Sequence, residues 1–436
     1  MTEPVAGVWV PTRALGRTVL LTGLLLLLGV ALGRVDLVLL ASPFAIGAAI
    51  NLHRRPKAVP EVTITADIEH VVEGGKVEAG LTVANPDVIG YDLVVVRTRT
   101  SPWLRLQHAD RPFALTVPQD GWAAIDLTGE ALRWGRQDVG PAAARAAACG
   151  GLLACRPVVT PARGVRVYPV TEPFNATEAM PAAAGLVGAH RSRRPGEGGE
   201  LAGVRQFAPG DRLRRIDWRV SLRTRDLHVA YTLSDRDAEV LLLLDVLGEV
   251  GLPGGVGGGS SVLDTTVRAA AAVAEHYLHR GDRVSLLEYG SGARRLRPGS
   301  GRRQYLTVLE WLLDVRPNPA DETEQYENLL AAHHVSSSAL VVVLSPLVDP
   351  RAADMLAQLT KSGRYTVAVD TLPKDAAPPV RNQWTPAATR LWRIERENVL
   401  GRLREHGVPV VQWAGAGSLD LVLRDVARMA SAPRGG

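Results

Sequence analysis

The sequence predicts an α/β protein in three parts: an N-terminal transmembrane helical hairpin, a small antiparallel β-sandwich, and a doubly wound α/β domain. Three observations carry this prediction. Two uncharged apolar runs open the chain, alternating apolar and polar residues with frequent turns follow, and the second half interleaves short apolar runs with amphipathic stretches. With 436 residues, two or three domains are expected, and 46% hydrophobic with 22% charged residues suits a folded protein with some membrane character.

The hairpin is "TVLLTGLLLLLGVALG" (18–33) and "LVLLASPFAIGAAINL" (37–52), separated only by Arg34-Val35-Asp36. Each run falls slightly short of the ~20 residues that cross ~30 Å of hydrocarbon. Snorkelling by Arg17, Arg34 and Arg54 makes up the deficit, and neither run has a polar face. Arg13 and Arg17 precede the first run, and His53-Arg54-Arg55-Pro56-Lys57 follows the second. The positive-inside rule places both ends, and the soluble remainder, in the cytoplasm of a multi-pass cell-membrane protein. Reading 19–30 as a signal-peptide core with "ALG" as its cleavage site leaves the remainder cytoplasmic as well. The hairpin domain is assigned to 1–57.

Residues 58–172 read as β. "EVTITADIEHVVEGGKVEAGLTVANPD" alternates, with Glu73-Gly74-Gly75 as a hairpin turn. "YDLVVVRTRT", "RPFALTVPQ", "WAAIDLT", "ALRWGRQDVGP" and "GVRVYPV" supply further strands, and the closely spaced turns suit a sandwich. Trp103, Trp122 and Trp134 are expected in its core. Cys149 and Cys155, the only two cysteines, are expected as unpaired thiols. A linker and motif region spans 173–235; within it "HRSRRPGEGGE" (190–200) reads as a solvated connector.

Residues 236–436 alternate strands and helices. "AEVLLLLDV", "DRVSLLEYG", "ALVVVLS", "YTVAVD" and "VPVVQWA" are strands. "LDTTVRAAAAVAEHYLHRG", capped by Asp264 or Thr265, "RRQYLTVLEWLLDV", "TEQYENLLAAHHV", "PRAADMLAQLTKSG", "TPAATRLWRIERENVLGRLREHG" and "SLDLVLRDVARM" are helices. Ligands of such sheets bind beyond the C-terminal strand ends, so functional residues are expected just after Leu244, Leu344 and Val369.

The chemistry available there is sparse. "DVLGEVGLPGGVGGGSS" lacks G-x-x-x-x-G-K-[ST] and the dinucleotide spacing, and reads as a flexible loop. Asp245 stands where a first divalent-metal ligand belongs. Leu247 offers no oxygen, Glu249 lies four residues on, and Ser345 and Pro346 precede Asp349 after a later strand. Asp245, Glu249 and Asp349 are therefore the candidate ligands of a depleted oxygen set. No G-x-S-x-G elbow or H-E-x-x-H is present, and His333 and His334 read as a solvated helix end. No catalytic residue and no cofactor is assigned. Nucleic-acid binding is not expected: the net charge is +5, and Glu197, Glu200, Asp211, Asp217 and Asp226 offset the arginines around them.

Those arginines belong to "GVRQFAPGDRLRRIDWRVSLRTRDLHVAY" (203–231). Pro209-Gly210-Asp211 reads as a turn ending in a helix N-cap. "RLRRIDWRVSLR" reads as a short helix on which Leu213, Ile216 and Val220 share a face, Trp218 and Leu222 pair, and Arg214 reaches Asp217. Asp211 and Asp217, six apart, fall on different faces and form no acid/base pair. "DLHVAYTL" continues as a strand, and the whole reads as a joint between domains.

The stretch closely resembles the signature of a large bacterial family known as domain of unknown function fifty-eight, roughly [LV]-R-x-[YF]-x-P-G-D-x-x-R-x-I-D-W. Arg205, Phe207, Pro209, Gly210, Asp211, Arg214, Ile216, Asp217 and Trp218 match it. The resemblance implies a von Willebrand factor type A-like C-terminal domain, no enzymatic activity, and association with MoxR-type AAA+ ATPases in assisting maturation of other proteins. Metal-binding type A domains carry D-x-S-x-S. Here only Asp245 is kept, Leu247 and Glu249 replace the serines, and Pro346 falls where the later Asp belongs. The expected function is a membrane-anchored adaptor for a MoxR-type ATPase or its client, with a divalent-metal-dependent binding module as the alternative.

Overall fold

A computed structural model describes residues 8–66, 70–109, 111–171, 195–208, 213, 216–233, 239–256, 259–292, 294–318, 335–336, 339–373 and 383–413. The chain forms two compact units, Met1–Tyr168 and Pro169–Gly436.

In the first unit, helices α1 (Arg13–Ala31) and α2 (Val35–His53) form the hairpin, each long and apolar enough to cross a membrane. Leu20, Leu27 and Val30 are exposed. The helices meet at Gly29, where an added Cβ would lie 2.9 Å from Val38.

Two sheets follow. One contains β2 (Glu61–Ala66), β4 (Lys76–Ala84), β6 (Leu104–Leu106) and β8 (Trp122–Ala131), in the order β2-β4-β8-β6. The other runs β1 (Trp9–Pro11), β10 (Leu153–Cys155), β9 (Gly135–Ala148), β12 (Arg163–Tyr168), β3 (His70–Val72). It also holds β5 (Tyr91–Thr100) and β11 (Val158–Thr160) on β9, and β7 (Phe113–Val117) on β5. Inward residues of the two sheets share one core, with Val62, Leu81 and Val83 packing with Val94, Val96, Ala142 and Ala144. Pairing is antiparallel except between β12 and β3. The Glu73-Gly74-Gly75 turn is present, but β3 crosses to β12 instead of forming a hairpin with β4. Trp134 is buried, whereas Trp122 is 68% exposed. Trp122 opens β8 at a position that alternates away from the core. Cys149 and Cys155 are free and buried.

The hairpin is tied to this unit on both sides. Before α1, β1 pairs with β10 in the register Trp9↔Cys155 to Pro11↔Leu153, and Thr12 donates its hydroxyl to the Gly151 carbonyl at 2.8 Å. After α2, the Ala58 carbonyl accepts from the Trp9 indole at 3.0 Å and the Tyr91 hydroxyl at 3.1 Å. Asp87 accepts from the backbone N–H of Lys57 at 2.6 Å and of Ala58 at 2.7 Å. Burial opposes the Asp87 charge, but these and two further backbone N–H groups hold its pKa below the ordinary value.

In the second unit, β13 (Pro195–Gln206) and β14 (His228–Leu233) form an antiparallel pair, with helix α3 (Trp218–Thr224) between them in sequence. The expected connector at 190–200 therefore enters a strand from Pro195 onward, because β14 supplies it with a pairing partner. A six-stranded sheet contains β15 (Glu239–Asp245), β16 (Arg283–Tyr289), β17 (Arg295–Gly299), β18 (Leu340–Ser345), β19 (Thr366–Asp370) and β20 (Val410–Gln412). Its order is β17-β16-β15-β18-β19-β20, parallel throughout except at edge strand β17.

Among the described residues four helices accompany it: α4 (Val262–His279), α5 (Gly301–Leu312), α6 (Pro350–Lys361) and α7 (Thr385–Glu405). Leu241, Leu243, Val341 and Val343 pack against Met355, Leu356 and Leu359 of α6 and Leu403 of α7. Leu242 and Leu244 point the other way and are equally buried, which explains the unbroken apolar run of β15. Helix α4 is capped earlier than expected, by Ser261, in a capping box. The Ser261 hydroxyl accepts from the Asp264 N–H at 3.2 Å, and Asp264 accepts from the Ser261 N–H. The helices expected at "TEQYENLLAAHHV" and "SLDLVLRDVARM" lie outside the described residues, as do His333 and His334.

Candidate functional site

Parallel pairing brings three polar residues to one end of adjacent strands. Leu244 pairs with Leu344 and Ser345 with Asp370, so Asp245, Ser345 and Asp370 close β15, β18 and β19 side by side. These are the positions after Leu244, Leu344 and Val369.

Asp245 is almost fully buried. Its Oδ2 accepts from the Ser345 hydroxyl at 2.6 Å and its Oδ1 from the Leu247 N–H at 3.0 Å. Burial pushes its pKa up to about 6, against the pull of those hydrogen bonds. Ser345 Oγ in turn accepts from the Leu347 N–H at 3.0 Å. Asp370 pairs with Arg396 of α7 at 2.5 Å and accepts from the Leu372 N–H at 3.0 Å. Burial raises its pKa even so. Arg396 also donates to the Pro346 carbonyl, tying the β18 loop to α7. Thr371 donates its backbone N–H to the Ser345 carbonyl and accepts the Thr266 hydroxyl of α4 at 2.9 Å.

The other two metal candidates are bound into the framework. Asp349 caps α6 through the Arg351 N–H at 2.9 Å and pairs with the Arg351 guanidinium at 2.7 Å, which holds its pKa below the ordinary value. Glu249 accepts from the Leu263 N–H at 3.2 Å, at the start of α4. Among the described residues no three His, Cys, Asp or Glu side chains group as metal ligands would. The arrangement knits three strand ends to α4, α6 and α7. The strand-end expectation covers Asp370, the residue after Val369, but not Arg396. An Asp closing each of "LLLLD" and "VAVD" is a visible signal for the first; Arg396, inside a long helix rich in arginine, has none.

The signature lies elsewhere in the same unit. Arg205 lies in β13. Asp217 is the N-cap of α3, its Oδ1 accepting from the Arg219 and Val220 N–H groups at 3.1 Å. Ile216 bridges to Val229, Asp217 donates its N–H to the His228 carbonyl at 2.9 Å, and the Ser221 hydroxyl accepts the His228 N–H at 2.9 Å. The helix therefore starts at Trp218 instead of at Arg212, because Ile216 and Asp217 are held extended against β14. Trp218 is 61% exposed and Leu222 is 79% exposed. Pro209, Gly210, Asp211 and Arg214 lie outside the described residues.

Comparisons with known proteins add the following. An uncharacterized protein of Mycobacterium tuberculosis (strain ATCC 25618 / H37Rv) is 31% identical over 139 residues, which is 31% of this chain and 42% of that protein. A counterpart in Mycobacterium bovis matches to the same extent, so the aligned stretch spans less than half of either relative. Two solved structures resemble parts of the chain. Alpha-2-macroglobulin from Escherichia coli, from domain MG7 to the C-terminus, has a TM-score of 0.23 and 15% identity, over 26% of this chain and 17% of that one. The cupredoxin domain of amoB from Nitrosocaldus yellowstonii has a TM-score of 0.18 and 9% identity, over 28% and 97%. Both likenesses are too slight to carry an argument. Residues 203–379, from the signature through the strand ends, match the family described as "Protein of unknown function DUF58".

Proposed function

We propose that the chain is a non-enzymatic, membrane-anchored scaffold or adaptor. Its C-terminal unit is a doubly wound, von Willebrand factor type A-like domain that binds a protein partner, a MoxR-type AAA+ ATPase or its client. The observation that carries this reading is the internal commitment of the strand-end acids: Asp245 to Ser345, Asp370 to Arg396, Asp349 to Arg351. Side chains consumed in holding loops and helices together shape a surface; they are not poised as acid, base or nucleophile. The strand order, with a single antiparallel edge, supports the type A-like assignment, and the choice of partner rests on what the resemblance of the 203–231 signature implies. Two apolar helices with Arg13, Arg17, Arg54, Arg55 and Lys57 at their outer ends support a hairpin whose soluble parts face the cytoplasm.

The test is affinity capture from detergent-solubilised membranes, with wild type and a Trp218→Ala, Leu222→Ala double variant. Recovery of a MoxR-type ATPase with the wild type is the expected result; absence of any stable partner would sink the proposal. The divalent-metal alternative predicts heat on titration with Mg²⁺ or Mn²⁺ that Asp245→Asn abolishes.

A further inference from the structure

We propose that the hairpin-bearing end of the two-sheet unit is itself seated in the lipid–water interface, with Trp122 and Val88 inserted at headgroup level beside Arg54, Arg55 and Lys57. This rests on the reading of α1 and α2 as membrane-spanning. The observation behind it is the juxtaposition of two exposed apolar side chains with the tether itself. Val88 is 71% exposed and sits in the loop whose Asp87 grips Lys57 and Ala58. Trp122 is 68% exposed and pairs with Ala84, next to that loop. The Asn85 N–H donates to the Gly121 carbonyl, the Asn85 side chain to the carbonyls of Ile89 and Pro118, and the Asp120 N–H to the Asp87 carbonyl. Loop 85–90 and turn 118–121 are thus one rigid piece, fastened to the chain just past α2.

The reach suffices. Lys57 lies only four residues past His53, the last of α2, a span of at most about 14 Å. The unit also comes closer than that tether requires, because Leu15, Ala48 and Leu52 of the hairpin pack on the core that contains Tyr91 and Val117. The headgroup zone is roughly 5–8 Å deep in each leaflet, which reaches side chains at this level. Trp is the residue that prefers that zone, one face apolar and its N–H wet. Arg54, Arg55 and Lys57 are exposed at the same end and match anionic headgroups. An exposed Trp on a solvated strand has no such setting; here the membrane is already present at the tether.

The experiment uses full-length protein in vesicles containing phosphatidylglycerol, with single cysteines introduced by Val88→Cys and Trp122→Cys and labelled with an environment-sensitive fluorophore. Quenching by headgroup-attached nitroxide lipid is then read. Val72→Cys is the distal reference, since Val72 pairs next to the Gly135 end of β9, up to about 40 Å of strand from its hairpin-proximal end at Ala148. Leu27→Cys reports the hairpin itself, and wild type, with only buried Cys149 and Cys155, gives the labelling background. Quenching at 88 and 122 at least about twofold above that at 72 is expected. Quenching equal to that at 72, with the label at 27 in lipid, overturns the inference and leaves the hairpin intact. A water-exposed label at 27 overturns the spanning hairpin and this inference together.

Discussion

Replacing Asp245 with Asn tests the strand-end network through its proton. The carboxyl lies 2.6 Å from Ser345 Oγ, is almost completely buried, and has its pKa raised from 3.8 to about 6. A carboxyl with a raised folded pKa binds its proton more tightly in the native state, so its contribution is greatest below pH 3.8 and is lost as pH rises through 6. The full swing is about 3 kcal/mol, from about two pKa units at 1.36 kcal/mol each, and about 1.4 kcal/mol of it falls between pH 5 and pH 8. Other groups titrate in the same range in both directions: Asp282 is raised to about 6 by burial and His276 is lowered to about 4. The difference between wild type and Asp245→Asn isolates the one site. Hydrogen exchange in peptides covering β15 and β18, corrected for intrinsic rates at each pH, reports the opening free energy of this core. Wild type should lose stability relative to the variant from pH 5 to pH 8. Parallel curves would show that Asp245 is ionised without penalty, and the account of the site as a buried, self-satisfied network would fail.

Three further outcomes follow from named contacts. Asp217→Ala should cost about 1 kcal/mol by removing the α3 cap, while Trp218→Ala should stay within about 0.5 kcal/mol because the indole is mostly exposed; thermal unfolding of both variants separates the two. Arg396→Ala should destabilise the second unit by about 3 kcal/mol, since it strands Asp370 as a buried unpaired acid, and faster exchange in β19 peptides is the readout. Gly129→Ala should cost at least about 2 kcal/mol, seen as a lowered melting temperature, because the new Cβ would sit 2.0 Å from the Arg105 carbonyl and push β6 off β8.

What was legible in the sequence follows the range of the interactions involved. Strands β15, β18 and β19 and helices α1, α2 and α6 declare themselves through runs of their own residues, so burial and composition suffice to find them. The strand-end positions were legible for the same reason. Three-residue β1 was not read, because its partner β10 lies far along the chain and Trp9–Pro11 has no pattern of its own. The strand at Pro195–Gln206 hid behind glycine and charge for the same reason: β14 makes it a strand. Helix spacing in "RLRRIDWRVSLR" suggested one continuous helix, yet tertiary pairing of Ile216 and Asp217 with β14 outweighs that local periodicity. Arg396 reaches Asp370 only once α7 has packed on the sheet, and no spacing along the chain encodes that meeting.

The pairing of β1 with β10 also imposes a schedule on biosynthesis. Trp9 meets Cys155 only after the intervening residues have left the ribosome, which at 5–20 residues per second takes roughly 7–30 s. During that interval both hairpin helices are complete, while the strand ahead of them dangles without its partner. β1 therefore joins its sheet late, after β2 to β9 have been made, with only β11 and β12 of the unit still to follow β10. Any bulky fusion placed just before Trp9 would act on that late pairing step, after both helices of the hairpin have been made.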